Sequence, residues 1–528
     1  MGMDFAVQAL PPYTARTVTR ARSTARLLRR TLAGLVALAG CVEVPAGPPE
    51  AQEAVVAAQP TPAVEACPAG GVAPEMLPRT RPEHQTLAYW LERTAGLADL
   101  DRPVLGAAEV RALNARVARD PALGFGGRVD LRAPIDLTAL ASGLQARLGF
   151  LRERFTTGKY VRLDGTLLPT ELQERYAAEV TPEALAVGLR APVVSAGPGL
   201  KGHVPKDSEP GGPELRVALD LVPIYCGPQT APYYTPNRDP EFDRNLCSMA
   251  RAQEVVQILR PWDGDLVLAR TSYVVGWIDA RAAALSPPLA PAEARDFLDG
   301  PHRHVGGALV LEIEGGGTHS LPFGALVPVA PGKPGRVLVA TPAGVRTASG
   351  DDARLADSPR PLTRRAVLTA AFAYLGEPYG WGDRDGGRDC SRYLMDLFAG
   401  LGVLLPRHTS DQAIAGSYVV EVAPVTSEPD RLRMLDEHHR RGVLLLHFPG
   451  HIMLYLGRDT AGAPMAIHSF AEYLVPCAGR TADAAVGERE TLLKVNGVHV
   501  SDLELGRGTS RTAFLQRITK ITVLGPNR

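Results

Sequence analysis

Cys390 stands between Asp389 and Ser391, after the turn-rich run Gly376-Glu377-Pro378-Tyr379-Gly380-Trp381-Gly382. A helix-like pattern of Leu394, Leu397, Phe398 and Leu401 follows it, and Gly402 closes that pattern. A thiol at the start of a helix can act as a nucleophile. The free N–H groups and the positive end of the dipole favour a thiolate, whose ordinary pKa is about 8.5. Two histidines follow in apolar, strand-like runs: His451 opens His451-Ile452-Met453-Leu454-Tyr455-Leu456, and His468 lies in Met465–Phe470. Alternation along a strand puts His451, Met453 and Tyr455 on one face, so a histidine at the open end can point into a cleft. A base that takes the thiol proton and returns it to a leaving amine, with a second ring fixing its tautomer, is the equipment of acyl transfer. The alternative for a lone cysteine is an inert core residue, and Asp389 and Ser391 are poor company for a core. His302, His304, His408, His447 and His499 are read as structural, with His302 and His304 in a linker.

The elements that must position these groups can be read around them. Thr363 can cap a helix over Ala366, Val367, Ala370, Ala371 and Tyr374, and Gly376 can end it in a left-handed turn. Three β runs, Val443–Phe448, His451–Leu456 and Met465–Phe470, lie downstream. Helix first and strands after gives an α+β, papain-like layer order over 359–528. Upstream, 214–290 and 291–358 carry short β runs broken by Gly, Pro and Asp, and are expected to form two small SH3-like barrels. Cys226 and Cys247 fall in the first, where an exported protein could pair them. Residues 86–213 show helical spacing and no catalytic signature, so a helical packing module is expected there. The chain of 528 residues is thus multidomain.

The N-terminus has no acidic residue between Asp4 and Glu43, six arginines from Arg16 to Arg30, and an apolar run Leu32–Ala39 too short to span a bilayer. Residues 1–40 are therefore expected to be a signal peptide. Its end, Leu38-Ala39-Gly40-Cys41, resembles a bacterial lipobox, which implies lipidation of Cys41. Residues 41–85, rich in Pro, Ala and Glu, are expected to be a flexible linker. With 57 basic and 57 acidic residues the charges balance, so nothing favours a nucleic-acid partner. The six cysteines include no CxxC pair, which argues against a zinc knuckle.

Taken together, Pro378-Tyr379-Gly380-Trp381-Gly382, Asp389-Cys390-Ser391, Leu405-Pro406-Arg407 with Gln412, Gly450–Gly457 and Ile467-His468-Ser469 resemble the NlpC-type cell-wall cysteine peptidases. The helical stretch and paired barrels look like the multidomain branch of that family. The resemblance implies Cys390 as nucleophile, His451 as base and His468 as orienter. It implies peptidoglycan stem peptides as substrate, cut after γ-D-glutamate and before the diamino acid, with a free N-terminal L-alanine. Asp389 and Ser391 would hold that amine, Thr409 stands where the family often has serine, Tyr379 would line the pocket, and Tyr273 of the first barrel would be a further wall. No cofactor or metal is implied. An exported, periplasmic-side monomer attached to the membrane only by its lipid is expected. An inactive wall-binding scaffold and a papain-like acyltransferase or amidase are the alternatives. Two positions depart from the family: Arg392 and Asp383 stand where glycine is common, and Arg392 is read as a solvated helix residue.

Overall fold

The helix that carries the expected nucleophile, Cys390–Ala399, is buried along nearly its whole length because two different units cover it. The computed structural model describes residues 71–118, 127–190, 214–307, 309–477 and 490–526. The expected signal peptide, Cys41, Cys67 and most of the expected linker lie outside the described residues.

The C-terminal unit is a helix-on-sheet structure. Its seven-stranded sheet runs in the order Gly71–Val72, Glu490–Asp502, Pro464–Pro476, His451–Arg458, Val443–Phe448, Lys520–Leu524, Tyr418–Glu421. All neighbours are antiparallel except the first pair. The helices Arg364–Ala373 and Cys390–Ala399 lie on one face. Val367, Ala371, Leu394, Leu397 and Phe398 meet Leu445, Ile452, Leu454 and Ile467 in one core. Burying each of the larger side chains, Val, Leu, Ile or Phe, stabilises the fold by roughly 1.5–3 kcal/mol, so this layer fixes the Cys390–Ala399 helix against the histidine strands. Helices and strands fall close to the runs read from sequence because periods of 3.6 and 2 are strong over these lengths.

Three expectations about the rest are corrected. The linker does not extend to 85: Gly71–Val72 pairs in parallel with Leu493 and Lys494, Leu77 is buried, and Pro82–Gln85 forms a short helix that buries His84. The stretch 86–213 is not one module. Leu87–Ala95 and Ala107–Val117 pack through Trp90, Val110, Leu113 and Val117 into the core of the C-terminal unit. Leu137–Thr156, Thr170–Glu179 and Pro182–Arg190 instead pack through Leu144, Leu148 and Phe155 onto Leu259, Trp262 and Trp277 of the first β unit. Finally, His302 and His304 lie in the strand His302–Val305, at the middle of a three-stranded sheet, and not in a linker.

The first β unit is a six-stranded antiparallel sheet in the order Glu214–Val217, Val255–Pro261, Leu266–Arg270, Val275–Asp279, Val222–Tyr225, Leu246–Ala250. The second unit holds a three-stranded and a four-stranded sheet across residues 302–358. Met395, on the back of the nucleophile helix, enters the core of the first unit beside Tyr273 and Ile278. A disulfide joins Cys226 to Cys247, closing a 21-residue separation.

Candidate active site

Asp389 caps the nucleophile helix, its carboxylate accepting from the Arg392 N–H at 2.9 Å. That cap holds Cys390 at the first helical position. The loop before it is set by four left-handed residues, Gly382, Asp383, Asp385 and Gly386. At Gly382 a Cβ would come within 2.8 Å of the Leu246 carbonyl oxygen, so glycine lets the loop touch the first β unit. The other end of the loop is tied to the sheet: Ser469 Oγ donates to the Arg388 carbonyl at 2.6 Å.

Cys390, His451, Tyr379, Asp389, Ser391 and Thr409 line one cleft, at the junction of the C-terminal unit and the first β unit. Cys390 is buried, 6% exposed: it lines the cleft on one side and joins the apolar core with Leu394 and Ile452 on the other. Burial, then the Asp389 charge, push its pKa up to about 12, against the N–H groups of Ile452 and Ser391 and the Arg407 guanidinium. The expected lowering by the helix start is outweighed by desolvation, and the resting group is a thiol.

His451 sits at the first residue of its strand. Burial, then Arg517 and His447, lower its pKa to about 3, so the resting ring is neutral. Its Nε2 lies 2.7 Å from His468 Nδ1, and His468 Nε2 lies 2.8 Å from Ser501 Oγ. This chain decides the tautomers. For His451 to offer a lone pair to the cleft at Nδ1, its Nε2–H must donate to His468 Nδ1, and His468 Nε2–H then donates to Ser501. Phe470 stacks on His468 at 4.1 Å and 9°, and burial with the nearby His451 keeps His468 well below its usual pKa. His468 is thus a neutral, clamped backing for His451. It does not itself line the cleft.

Ser501 went unnoticed in the sequence. Its strand, Glu490–Asp502, alternates Val498 and Val500 with His499 and Ser501, and pairing with Pro464–Pro476 puts Ser501 opposite Ala466. That alternation was the available signal; the pairing that brings it to His468 is long-range.

Asp389 is heavily engaged. Arg407 donates to both of its oxygens, at 3.1 and 2.7 Å, Ser391 Oγ donates at 2.9 Å, and the Gly382 N–H at 3.2 Å. Burial alone would raise this carboxyl; Arg407 outweighs it and holds the pKa below the ordinary range. Gln412 bridges the carbonyls of Ser391 and Pro406, which locks the Leu405-Pro406-Arg407 segment against the helix. His408 and His447 also line the cleft; burial lowers their pKa values to about 3 and about 4.

Two readings of single residues are corrected. Tyr273 does not wall the cleft. It is buried behind the nucleophile helix, where its hydroxyl meets Glu254, the Met249 carbonyl and Arg392 Nη1, the last at 2.9 Å. It belongs to the short connection before the strand Val275–Asp279, and that connection packs under the helix. Arg392 is not solvated. It is 1% exposed, with Nε on Asp396 at 2.6 Å, Nη2 on Glu254, and Asp383 3.6 Å away. The two departures from glycine therefore sit in one ionic cluster. Asp383 also accepts from Ser248 at 2.7 Å and Arg407 at 3.2 Å.

Residues 376–473 match the sequence profile of the NlpC/P60 family, so the chain carries an NlpC/P60 domain at its C-terminal end. Peptidoglycan endopeptidase RipB of Mycobacterium tuberculosis is 33% identical over 119 residues, 19% of this chain and 43% of RipB. Gamma-D-glutamyl-L-lysine dipeptidyl-peptidase of Bacillus subtilis is 34% identical over 100 residues, 19% of this chain and 33% of that enzyme. The chain thus spans less than half the length of these curated relatives. An NlpC/P60 endopeptidase structure from Photobacterium damselae subsp. piscicida shares the fold, with a TM-score of 0.57, 15% identity, and coverage of 81% of this chain and 96% of that one.

Proposed function

Proceeding from the NlpC/P60 domain, we propose that this chain is a cysteine endopeptidase of peptidoglycan stem peptides, cutting the bond between γ-D-glutamate and the diamino acid. The observation that carries the reading is the Cys390–His451 cleft backed by His468 and Ser501. Both reacting groups rest neutral, so attack and proton transfer are concerted. As Sγ bonds to the γ-carbonyl carbon, its proton passes to His451 Nδ1, and the imidazolium is stabilised through His468. The N–H groups at the helix start face the developing oxyanion. His451 then protonates the leaving amine, and water, activated by the same ring, releases the acyl group.

The small β units are read as SH3-like modules, and the first of them shapes the cleft directly. Export, with attachment through a lipid on Cys41, is part of the same proposal. Among the described residues no helix is long and apolar enough to cross a membrane. Recognition of a free N-terminal L-alanine rests on Asp389 and Ser391 at the cleft; an incoming ammonium there would share the carboxylate with Arg407.

Mass spectrometry of products from defined stem peptides, free and glycan-attached, tests the proposal with Cys390→Ala as control. Release of the diamino acid from free peptides by the wild type alone is expected. Equal cleavage of intact sacculus would remove the free-amine requirement, and products from the Cys390→Ala protein would remove the assignment.

A further inference from the structure

The cleft carries more positive charge than its acids can neutralise. Four arginines line it, Arg244, Arg407, Arg511 and Arg517, against the carboxylates of Asp389 and Glu472. Arg407 is matched by Asp389 at 2.7 Å and Arg511 by Glu472 at 3.2 Å. Among the described residues, the guanidinium groups of Arg244 and Arg517 meet neither a carboxylate within ion-pair distance nor a hydrogen-bond acceptor. Arg244 Nε is buried and unsatisfied. Leaving a charged donor in this state costs free energy unless a ligand completes it.

Both guanidiniums are held by aromatic faces, which orient a cation without neutralising it. Arg244 Cζ lies 4.1 Å from the centre of the Trp381 ring and 5.5 Å from that of Phe242. Arg517 Cζ lies 3.9 Å from the Phe448 ring centre and 5.7 Å from Phe514. The disulfide Cys226–Cys247 closes the segment that carries Phe242 and Arg244. Burial lowers the pKa of both arginines, Arg517 to about 10; a guanidinium keeps its proton in proteins at neutral pH.

Their places differ. Arg244 comes from the first β unit and stacks on the loop that leads into Cys390, beside Tyr379. Arg517 stands by Phe448 and Phe514, the rings packed around His451. The base delivers its proton to the leaving amine, so the side beyond His451 receives the leaving group and the opposite side receives the acyl group.

Resting on the proposed function, we infer that Arg244 and Arg517 are specificity-determining residues that each bind a substrate carboxylate, one on either side of the scissile bond. A γ-linked glutamyl residue keeps its α-carboxylate, which suits Arg244. A diamino acid with two carboxyl groups offers its second one to Arg517. A planar guanidinium fixed on an aromatic ring presents paired N–H donors to a carboxylate, and an amide cannot accept them equally. The substrate class is a non-amidated stem peptide ending in a dicarboxylic diamino acid.

The test compares three synthetic tripeptides on the whole protein: L-alanyl-γ-D-glutamyl-meso-diaminopimelate, its glutamyl α-amide, and the analogue with L-lysine in third place. Wild type is expected to favour the first over each of the others by about tenfold or more in kcat/KM, mostly through KM. Arg244→Gln should erase the discrimination against the α-amide and keep that against lysine; Arg517→Gln should do the reverse. Arg244→Lys, which keeps the charge, should retain part of the preference. Equal cleavage of all three by wild type overturns the inference and leaves the proposed function standing. Cleavage of none overturns both. The wild-type comparison needs no variant, so misfolding of a substituted protein cannot mask the result.

Discussion

The two faces of the helix Cys390–Ala399 solve opposite problems. The front presents Cys390 and Ser391 to a cleft whose reacting groups rest neutral. The back buries full charges: Arg392, Asp396 and Arg388 form a paired cluster that the half-buried Glu254 of the first β unit closes. Burial, opposed first by Arg392 and then by Arg388, leaves Asp396 with a pKa of about 2. At Cys390 and His451 desolvation is the largest influence and suppresses charge, while Asp389 beside them stays ionised on Arg407. On the back, opposite charges are close enough to outweigh it. The same helix thus presents the proposed nucleophile in front while its rear is fastened across a domain boundary. Charge placement follows from which atoms are paired, not from how deep they lie.

The contrast implies that front substitutions abolish turnover with little change in stability, and rear substitutions do the reverse. The largest effect is expected for Cys390→Ala, a loss of at least about 10⁴-fold in kcat with an unchanged melting curve. His468→Ala should follow with a loss of about 10²-fold in kcat and little change in KM, because the backing of His451 is removed and the substrate contacts remain. On the rear, Arg392→Met leaves Asp396 and Glu254 short of a partner. It should destabilise the fold by about 3–5 kcal/mol in denaturant unfolding. If that variant melts like wild type, the cluster does not fasten the two units.

Acid should separate the faces too. The Asp396 pKa is depressed from 3.8 in the unfolded reference to about 2, so its stabilisation is complete above about pH 4 and is lost as pH falls through 2. The front has a neutral base down to about pH 3 and a thiol up to about pH 12. Activity should therefore lack an acid limb near 6.5, the ordinary histidine value, and iodoacetamide should alkylate Cys390 slowly at pH 7. Fast alkylation at pH 7 would mean a preformed thiolate–imidazolium pair. The smallest effect is expected for Ser501→Ala, a few-fold loss of kcat from one hydrogen bond at the end of the relay.

Much of the front was legible in sequence and little of the back. Glycine turns, an N-capping aspartate and period-2 strands are local signals, so Cys390, His451 and the strand of His468 could be placed from them. Arg392 was read as solvated because a helix pattern shows which side is apolar and not what another domain lays over it. Its partners Glu254 and Asp383 are 138 and 9 residues away, and Glu254 belongs to the first β unit. Tyr273 was assigned to the cleft by resemblance, yet the connection that carries it runs under the helix. The stretch 86–213 looked uniform because amphipathic spacing does not reveal that its first two helices face one core and its last three another.

The central claim is that the sulfur of Cys390 carries the acyl group. The most direct measurement is mass spectrometry of enzyme quenched during turnover of L-alanyl-γ-D-glutamyl-meso-diaminopimelate, followed by digestion to the peptide containing Cys390. A thioester adduct of the alanyl-glutamyl mass on that residue, absent from Cys390→Ala, is the predicted result. Continued product release by Cys390→Ala, or an adduct on another residue, would contradict it.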